Sequence, residues 1–325
     1  MKKSLNAIAL ALTVSLLPLS AYALDITPDA TRDLADPSYL PTQGKVQGKT
    51  SYQYGKSKWD VRDANDAFVL AADQKTNNIT QNVAYGITDT VSVSVSDSYG
   101  TSTVGRGATS ERKANGFENP TIGATWRVID QKTNPVSVDL LASYSPDVFN
   151  AKGATETQDG TVARGGYVVG GGTAVSYRTR AFTIYGAGGA VYRGDTETEN
   201  QTTGVKTKLN DSNWNYLLSL QTQTRLTSLV SLDAGVSHVF RDKANTSFRN
   251  GAGTLVSRHV KAGDITALNV GLNYTVIKNR LVAGLTYEHD IIDDSVTSYA
   301  NPANNITRTD DTANIYGAKL TYLLN

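Results

Sequence analysis

Period-two alternation of apolar and polar side chains is the feature of this sequence that most restricts its fold. From Val91 the chain reads Val-Ser-Val-Ser-Val-Ser, which places the valines on one face of an extended strand and the serines on the other. The same alternation recurs at 121–128, 136–144, 213–221, 231–237 and 280–288. Each of these segments therefore predicts a strand with one apolar face and one polar face.

Twelve strands are expected, at 46–55, 78–88, 90–100, 118–129, 135–145, 164–178, 181–193, 212–224, 229–241, 263–276, 280–291 and 312–324. Each is about as long as, or longer than, the roughly 9–11 residues that a tilted transmembrane strand needs. Five short connections alternate with six long ones, at 56–77, 101–117, 146–163, 194–211, 242–262 and 292–311. Short periplasmic turns and long extracellular loops are typical of bacterial outer-membrane proteins. The sequence therefore predicts an all-β fold, a 12-stranded antiparallel transmembrane β-barrel in the bacterial outer membrane.

The N-terminal residues predict secretion. Lys2 and Lys3 precede an apolar stretch, which Ala21-Tyr22-Ala23 follows, and this is the layout of a cleavable signal peptide. We expect a signal peptide at 1–23, a periplasmic N-terminal segment or plug at 24–44, and the barrel at 45–325. The segment 24–44 is rich in Pro and Asp and has no strand pattern. It either lies in the periplasm as a strap or folds into the lumen, where its carboxylates would meet inward arginines.

Aromatic residues give an independent indication of a membrane-spanning barrel, because they collect at the two membrane interfaces. Most of them share the apolar face of their strand and fall near one of its ends. We expect interface positions for Tyr54, Tyr85, Trp126, Tyr144, Tyr177, Tyr192, Trp214, Tyr216, Tyr274, Tyr287, Tyr316 and Tyr322.

The polar faces of the strands predict a charged barrel interior. The residues expected to line the lumen are Arg127, Asp139, Arg178, Arg225, Asp233, Arg241, Glu288 and Asp290. Because an isolated buried charge is costly, these groups must pair across the lumen or contact water. Small inward residues such as Gly123, Gly235 and Gly284 are expected to leave room for a narrow water-filled pore.

The composition excludes several chemistries. The chain has no Cys, which rules out disulfides, thiolate metal sites and a cysteine nucleophile. Its formal net charge is +1 and no long basic run occurs, so nucleic acid is not an expected partner. The three histidines, His238, His259 and His289, show no Ser-His-Asn arrangement in the sequence. We therefore expect no catalytic residue, no metal site and no cofactor.

Three short motifs carry a family resemblance. They are Tyr85-Gly86-Ile87-Thr88-Asp89, the strand Asn119-Pro120-Thr121-Ile122-Gly123-Ala124-Thr125-Trp126-Arg127, and Tyr144-Ser145-Pro146. From about residue 79 to its end, the chain resembles the outer-membrane barrels labelled transporters or putative meta-pathway phenol-degradation proteins. The resemblance implies a barrel associated with small, often hydrophobic compounds, and it brings no functional residues with it.

These observations favour a channel or facilitator that passes small molecules through the outer membrane by passive transport. Selectivity would come from the charges of the lumen and from the loops at 146–163 and 242–262. The expected partners are outer-membrane lipid, lipopolysaccharide and small-molecule solutes. An alternative is a closed structural barrel that binds surfaces or partners through its outer loops. A lipid-modifying outer-membrane enzyme is a third alternative, for which no catalytic cluster is found.

Overall fold

The computed structural model describes residues 33–106, 110–155, 157–199, 206–209, 211–249 and 255–324. The prediction of twelve antiparallel barrel strands is confirmed. In chain order they are β1 (Val46–Arg62), β2 (Phe68–Gly86), β3 (Val91–Arg106), β4 (Thr121–Ile129), β5 (Ser137–Ser145), β6 (Val168–Arg178), β7 (Phe182–Arg193), β8 (Asn213–Arg225), β9 (Val230–Arg241), β10 (Ile265–Ile277), β11 (Leu281–Ile292) and β12 (Ile306–Leu324). Each strand pairs with the next, and β12 pairs with β1, which closes the sheet.

Among the residues that the structure describes, no helix is long and apolar enough to cross a membrane.

Several connections that the sequence predicts as loops are largely strand. β1 has 17 residues and β2 has 19, and they pair through Lys56↔Lys75 well past the predicted strand ends. Two further hairpins continue the sheet, one between β3 and Ser110–Phe117 and one between Lys243–Arg249 and Leu255–Lys261. In the β1–β2 extension the neighbouring pairs Lys56↔Lys75, Ser57↔Gln74 and Lys58↔Asp73 are polar on both faces. The one-sided apolar pattern is therefore lost there while backbone pairing continues. By contrast, β4 and β5 have nine residues each.

The remaining long connections contain short elements. Ala151–Lys152 pairs with Thr196–Glu199, which also pairs with Lys206–Leu209, and these strands form a separate small sheet. Gly160–Thr161 pairs in parallel with Ala114–Asn115 beside β3. Ser295–Tyr299 and a 3₁₀ turn at Pro302–Asn304 precede β12. The chain between β5 and β6 is therefore bound at both sides of the barrel rather than extended into solvent.

Side-chain contacts also join β1 and β12, where the barrel closes. The ring of Tyr322 lies against the backbone of Gly48, where an added Cβ would be 2.2 Å from the ring atoms. Gln81 on β2 donates from Nε2 to the Tyr322 hydroxyl at 2.9 Å and accepts a hydrogen bond from Thr50. An aromatic ring over a strand glycine thus links the first and last strands of the barrel.

Residues 33–44, called the N-terminal segment below, lie inside the end of the barrel that carries the short turns. Leu34, Leu40 and Pro41 are buried there. At Gly86 an added Cβ would be 2.2 Å from the carbonyl oxygen of Thr42, so glycine is needed for the segment to approach β2. The expected signal peptide at 1–23 and the first part of the expected segment, 24–32, lie outside the described residues.

Candidate functional site: the barrel interior

A buried ion pair joins the N-terminal segment to the barrel wall. Nε of Arg178, at the end of β6, donates to Oδ2 of Asp36 at 2.6 Å, and the two side chains are 2% and 0% exposed. Thr183 donates to the same carboxylate oxygen at 2.8 Å, and Ser38 donates to the other from its backbone N–H and its hydroxyl. Because both carboxylate oxygens are hydrogen-bonded, this buried charge is fully satisfied.

A second buried ion pair lies beside the first. Arg127 binds Asp139 through two parallel hydrogen bonds of 2.7 and 2.9 Å, the strong bidentate arrangement of arginine and carboxylate. Its Nη2 also donates to the Ser38 carbonyl at 2.6 Å. The side chain of Gln131 binds the backbone of Arg178 twice. Its Nε2 donates to the Arg178 carbonyl, and its Oε1 accepts from the Arg178 N–H. Two inward arginines therefore hold one short stretch of the N-terminal segment.

The other expected lumen residues occupy different surroundings. Asp233 accepts from Asn273 at 2.7 Å and from Gln223 at 3.0 Å, and Lys319 lies 3.4 Å away. Arg225 lies at the short-turn rim, where it donates to the Arg180 carbonyl at 3.1 Å. Arg241 donates to the Gly263 carbonyl near the opposite end. Glu288 and Asp290 are half-buried on β11 and lie close enough to interact electrostatically.

The inward glycines do not open the pore as expected from the sequence. An added Cβ at Gly284 would lie 2.6 Å from Cε of Lys319 and 2.7 Å from Oδ1 of Asn273. At Gly123 it would lie 2.7 Å from the hydroxyl of Ser94. Neighbouring side chains already fill the space above these glycines. The glycines therefore make room for those side chains and do not widen the pore.

A cavity of about 400 Å³ remains beside the N-terminal segment. We call it the inner cavity. One wall is the segment itself, through Leu34, Pro37 and Tyr39, and the opposite wall is formed by β1 and by the strands from β7 to β12. Lys49, Lys319 and Asp233 line that wall. The N-terminal segment narrows the barrel end without filling it.

The chain between β5 and β6 folds back into the other end of the barrel. Residues 157–166, called the inward loop below, pack against Gly100 on one side and the backbone of 194–197 on the other. The loop turns at Gly165 and Gly166, whose φ angles are 70° and 72°. A Cβ at Gly165 would lie 2.9 Å from the Glu197 carbonyl oxygen. Glycine is required at this turn because of both the left-handed backbone and the close contact.

The inward loop places Arg164 between two further cavities of about 320 and 400 Å³. Arg164, Val162 and Glu118 line both of them. Arg164 is exposed to this space and is close enough to Arg193 and Arg241 for mutual repulsion. The sequence indicates that the connection at 146–163 matters, but Arg164 and Glu118 were missed. The sequence places each at the first residue of a predicted strand, whereas in the structure they precede β6 and β4. They therefore lack strand parity, the alternation of side chains between the two faces of a strand, and their direction could not be inferred from it.

Most of the expected interface aromatics lie on the outer surface of the barrel. Exposed fractions of the large rings include 54% for Trp126, 51% for Tyr274 and 53% for Tyr316. Some pack as neighbours, such as Tyr287 with Tyr316 at 5.3 Å and Tyr192 with Trp214 at 5.1 Å between ring centres. Of the other expected positions, Tyr85, Tyr144 and Tyr216 are also exposed, and Tyr54, Tyr177 and Tyr322 are half-buried.

The histidines form one arrangement that merits comparison with a catalytic site. His238 Nδ1 lies 2.9 Å from the Thr266 hydroxyl, and its Nε2 lies 4.0 Å from Asp264. A Thr-His-Asp order is the pattern of nucleophilic catalysis, but Thr266 is 1% exposed, so no substrate reaches its hydroxyl. His289 contacts Asn314, and His259 contacts Asn245. These contacts favour structural roles for the histidines.

Comparison with solved structures places the fold among bacterial outer-membrane β-barrels. An outer membrane channel from Pseudomonas putida F1 superposes with a TM-score of 0.57 at 13% identity, over 90% of this chain and 100% of that one. The translocator domain of the autotransporter NalP from Neisseria meningitidis gives 0.51 at 11% identity, over 88% and 90%. The transport unit of the autotransporter AIDA-I from Escherichia coli gives 0.51 at 11% identity, over 90% and 93%.

No protein-family model matches this chain, and no curated protein matches it. At these identities the likeness concerns the fold alone. The resemblance to outer-membrane barrels is therefore confirmed at the level of the fold, and the label of phenol degradation has no support from a family model.

Proposed function

We propose that this protein is an outer-membrane channel through which small molecules diffuse along the barrel axis. The observation that carries the proposal is the inward row of β1. Gln47 and Lys49 line the inner cavity, and Gln53 and Gly55 line the outer cavity of about 400 Å³. Ser51 is the one inward position between the two pairs. Hollow space lined by polar groups therefore recurs along the axis, as a route for dissolved solutes requires.

Two constrictions would set the size and charge of the solute. The first is the inward loop, where Arg164 separates the outer cavities and faces Arg193 and Arg241. The second is the N-terminal segment, which leaves the inner cavity as the space at the short-turn end. We propose that residues 33–44 act as a partial plug and that solutes pass beside them. The described structural neighbour from Pseudomonas putida F1, named a channel, is consistent with this role.

The experiment uses the absence of Cys from the chain. A Ser51→Cys variant would carry a single thiol facing the lumen, and a Thr50→Cys variant would carry one on the lipid-facing side of the same strand. In planar bilayers, a positively charged methanethiosulfonate reagent should lower the conductance of Ser51→Cys and leave Thr50→Cys unchanged. Equal responses, or no conductance from a correctly folded barrel, would contradict a channel.

A closed structural barrel is the second candidate, and one observation favours it. Asp36, Arg178, Arg127 and Asp139 are all nearly inaccessible to solvent and neutralise one another. Such a charge-balanced buried polar network is what a filled barrel needs for stability. In that case the long hairpins would carry the function by contacting surfaces or lipopolysaccharide. Absence of conductance in the bilayer experiment, with both thiols unreactive, is the result this candidate predicts.

A further inference from the structure

The charges of the inner cavity do not balance. Lys49 on β1 and Lys319 on β12 both line it, and they are close enough to interact with each other and with Asp233. Asp36 also lines the cavity, but Arg178 neutralises it. The carboxylate of Asp233 therefore remains as the counter-charge for the two ammonium groups of Lys49 and Lys319.

Both oxygens of the Asp233 carboxylate already accept hydrogen bonds. Its Oδ1 accepts from Gln223, and its Oδ2 accepts from Asn273 and lies 3.4 Å from Lys319. Lys49 makes no ion pair or hydrogen bond with any residue in the described part of the chain. Its ammonium group is exposed to the cavity. An ammonium group that faces a confined cavity without a counter-charge attracts an anion.

The remainder of the lining is suited to an organic body. Leu34, Pro37, Tyr39 and Tyr185 supply apolar and aromatic surface, and Gln47, Gln221 and Asn269 supply side-chain amides. The volume of about 400 Å³ lies within the range of small-molecule sites. Carbon-rich surface beside two ammonium groups selects a compact anion with an apolar part over an inorganic ion or a sugar.

We propose that the inner cavity is a binding site for a small organic carboxylate, whose charged group lies between Lys49 and Lys319 and whose ring or short chain lies against the N-terminal segment. The proposal rests on the proposed channel function, since it names the class of solute that pauses at the second constriction. The N-terminal segment is then part of the site and not only an obstruction. Strand parity alone would have placed both lysines inward.

Binding of benzoate to the purified full chain in detergent micelles tests the proposal by titration calorimetry. The wild-type protein should bind benzoate saturably, whereas benzyl alcohol, a neutral molecule of nearly the same shape, should bind much more weakly. Because loss of a hydrogen bond to a charged group weakens binding by an order of magnitude or more, Lys49→Gln and Lys319→Gln should each raise the Kd roughly tenfold or more. Lys132→Gln, in an exposed short turn, is the matched control and should bind as the wild type does.

Lys49→Arg keeps the charge and should keep most of the binding, which separates loss of charge from loss of folding. Saturable binding that is absent in the wild type, equal for benzyl alcohol or unchanged in Lys49→Gln would overturn the site, even in a protein that conducts ions. Conversely, a protein that binds benzoate through Lys49 but forms no conducting channel would retain the site and contradict the channel function. The two proposals therefore fail separately.

Discussion

Asp36 and Arg178 are 142 residues apart in sequence, yet their side chains meet at 2.6 Å with almost no exposure to solvent. Removing one partner of a buried ion pair costs about 3–5 kcal/mol, because the other charge stays buried and uncompensated. In Asp36→Asn that cost is avoided if the N-terminal segment leaves Arg178 and exposes it to water. We therefore expect Asp36→Asn to undock the segment and raise single-channel conductance.

The control for this prediction is Asp33→Asn, which alters a carboxylate of the same segment that accepts a local hydrogen bond from Ala35. Its conductance should match that of the wild type. If Asp36→Asn also conducts like the wild type, the segment does not restrict the pore.

Arg164 should determine the charge preference at the outer constriction. Replacing it with Gln removes one positive charge from the space between the two outer cavities. At 4 Å in bulk water a unit positive charge attracts chloride and repels potassium by about 1 kcal/mol each, so the ratio of chloride to potassium permeability should fall roughly thirtyfold. The reversal potential under a salt gradient measures this ratio. No shift relative to Lys132→Gln would mean that ions do not pass Arg164.

Gly165→Ala should displace the inward loop. The new methyl group would meet the Glu197 carbonyl oxygen at 2.9 Å on a backbone with φ of 70°, and a left-handed backbone costs a non-glycine residue about 1–2 kcal/mol. Open-channel current should become larger or noisier. Gly186→Ala, where the methyl group would come no closer than 3.8 Å to the Ser219 carbonyl, should leave the current unchanged.

Gly48→Ala should weaken barrel closure. Its methyl group would force the Tyr322 ring away from β1 and break the hydrogen bond with Gln81. We expect the folded form to lose its compact migration in gel electrophoresis at a lower temperature than the wild type. Tyr322→Phe keeps the ring over Gly48 and loses the hydroxyl, so its loss should be the smaller one. The reverse order would assign the closure to the hydrogen bond.

The lipid-facing surface gives a test of sidedness. Leu285 is 64% exposed on the outside of β11, and an arginine at a lipid-facing position near the membrane centre costs about 2–4 kcal/mol. Leu285→Arg should therefore lower folding yield into lipid vesicles. Glu288→Arg changes an inward residue of the same strand and should fold with near wild-type yield. Equal losses would contradict the assignment of the two faces.

Strand parity accounts for much of what the sequence predicted correctly. The Val-Ser alternation at 91–96 and similar segments indicated twelve strands, and the same parity turned Arg127 and Arg178 toward the interior. Strand parity did not predict the strands where both faces are polar, as in the hairpin extension around Lys56↔Lys75. Hydrogen bonding between backbones, which no side-chain pattern reports, continues the sheet there.

Strand parity also predicts the face on which a side chain lies but not the residues that it contacts. It placed Gly284 inward without revealing that Lys319 fills the space above it. The sequence places Arg164 in a strand at 164–178, whereas in the structure it precedes β6 and its direction depends on the turn at Gly165 and Gly166. The pairing of Asp36 with Arg178 depends on the path of a chain segment without regular structure, so the sequence could suggest carboxylate–arginine contacts but not select this one.

The unequal strand lengths divide the wall of the barrel into two kinds. The 17 residues of β1 span about 56 Å along the strand and the nine residues of β4 about 30 Å, at about 3.3 Å each. A tilted strand of nine residues covers no more than an apolar band about 25 Å tall. Beyond the end of β4 the sheet is continued beside β3 by a separate strand, Ser110–Phe117. On the side of β1 and β2 one unbroken hairpin forms both the membrane wall and its extension, whereas above β4 the extension is a different piece of chain and can change in sequence without altering the strand that crosses the membrane.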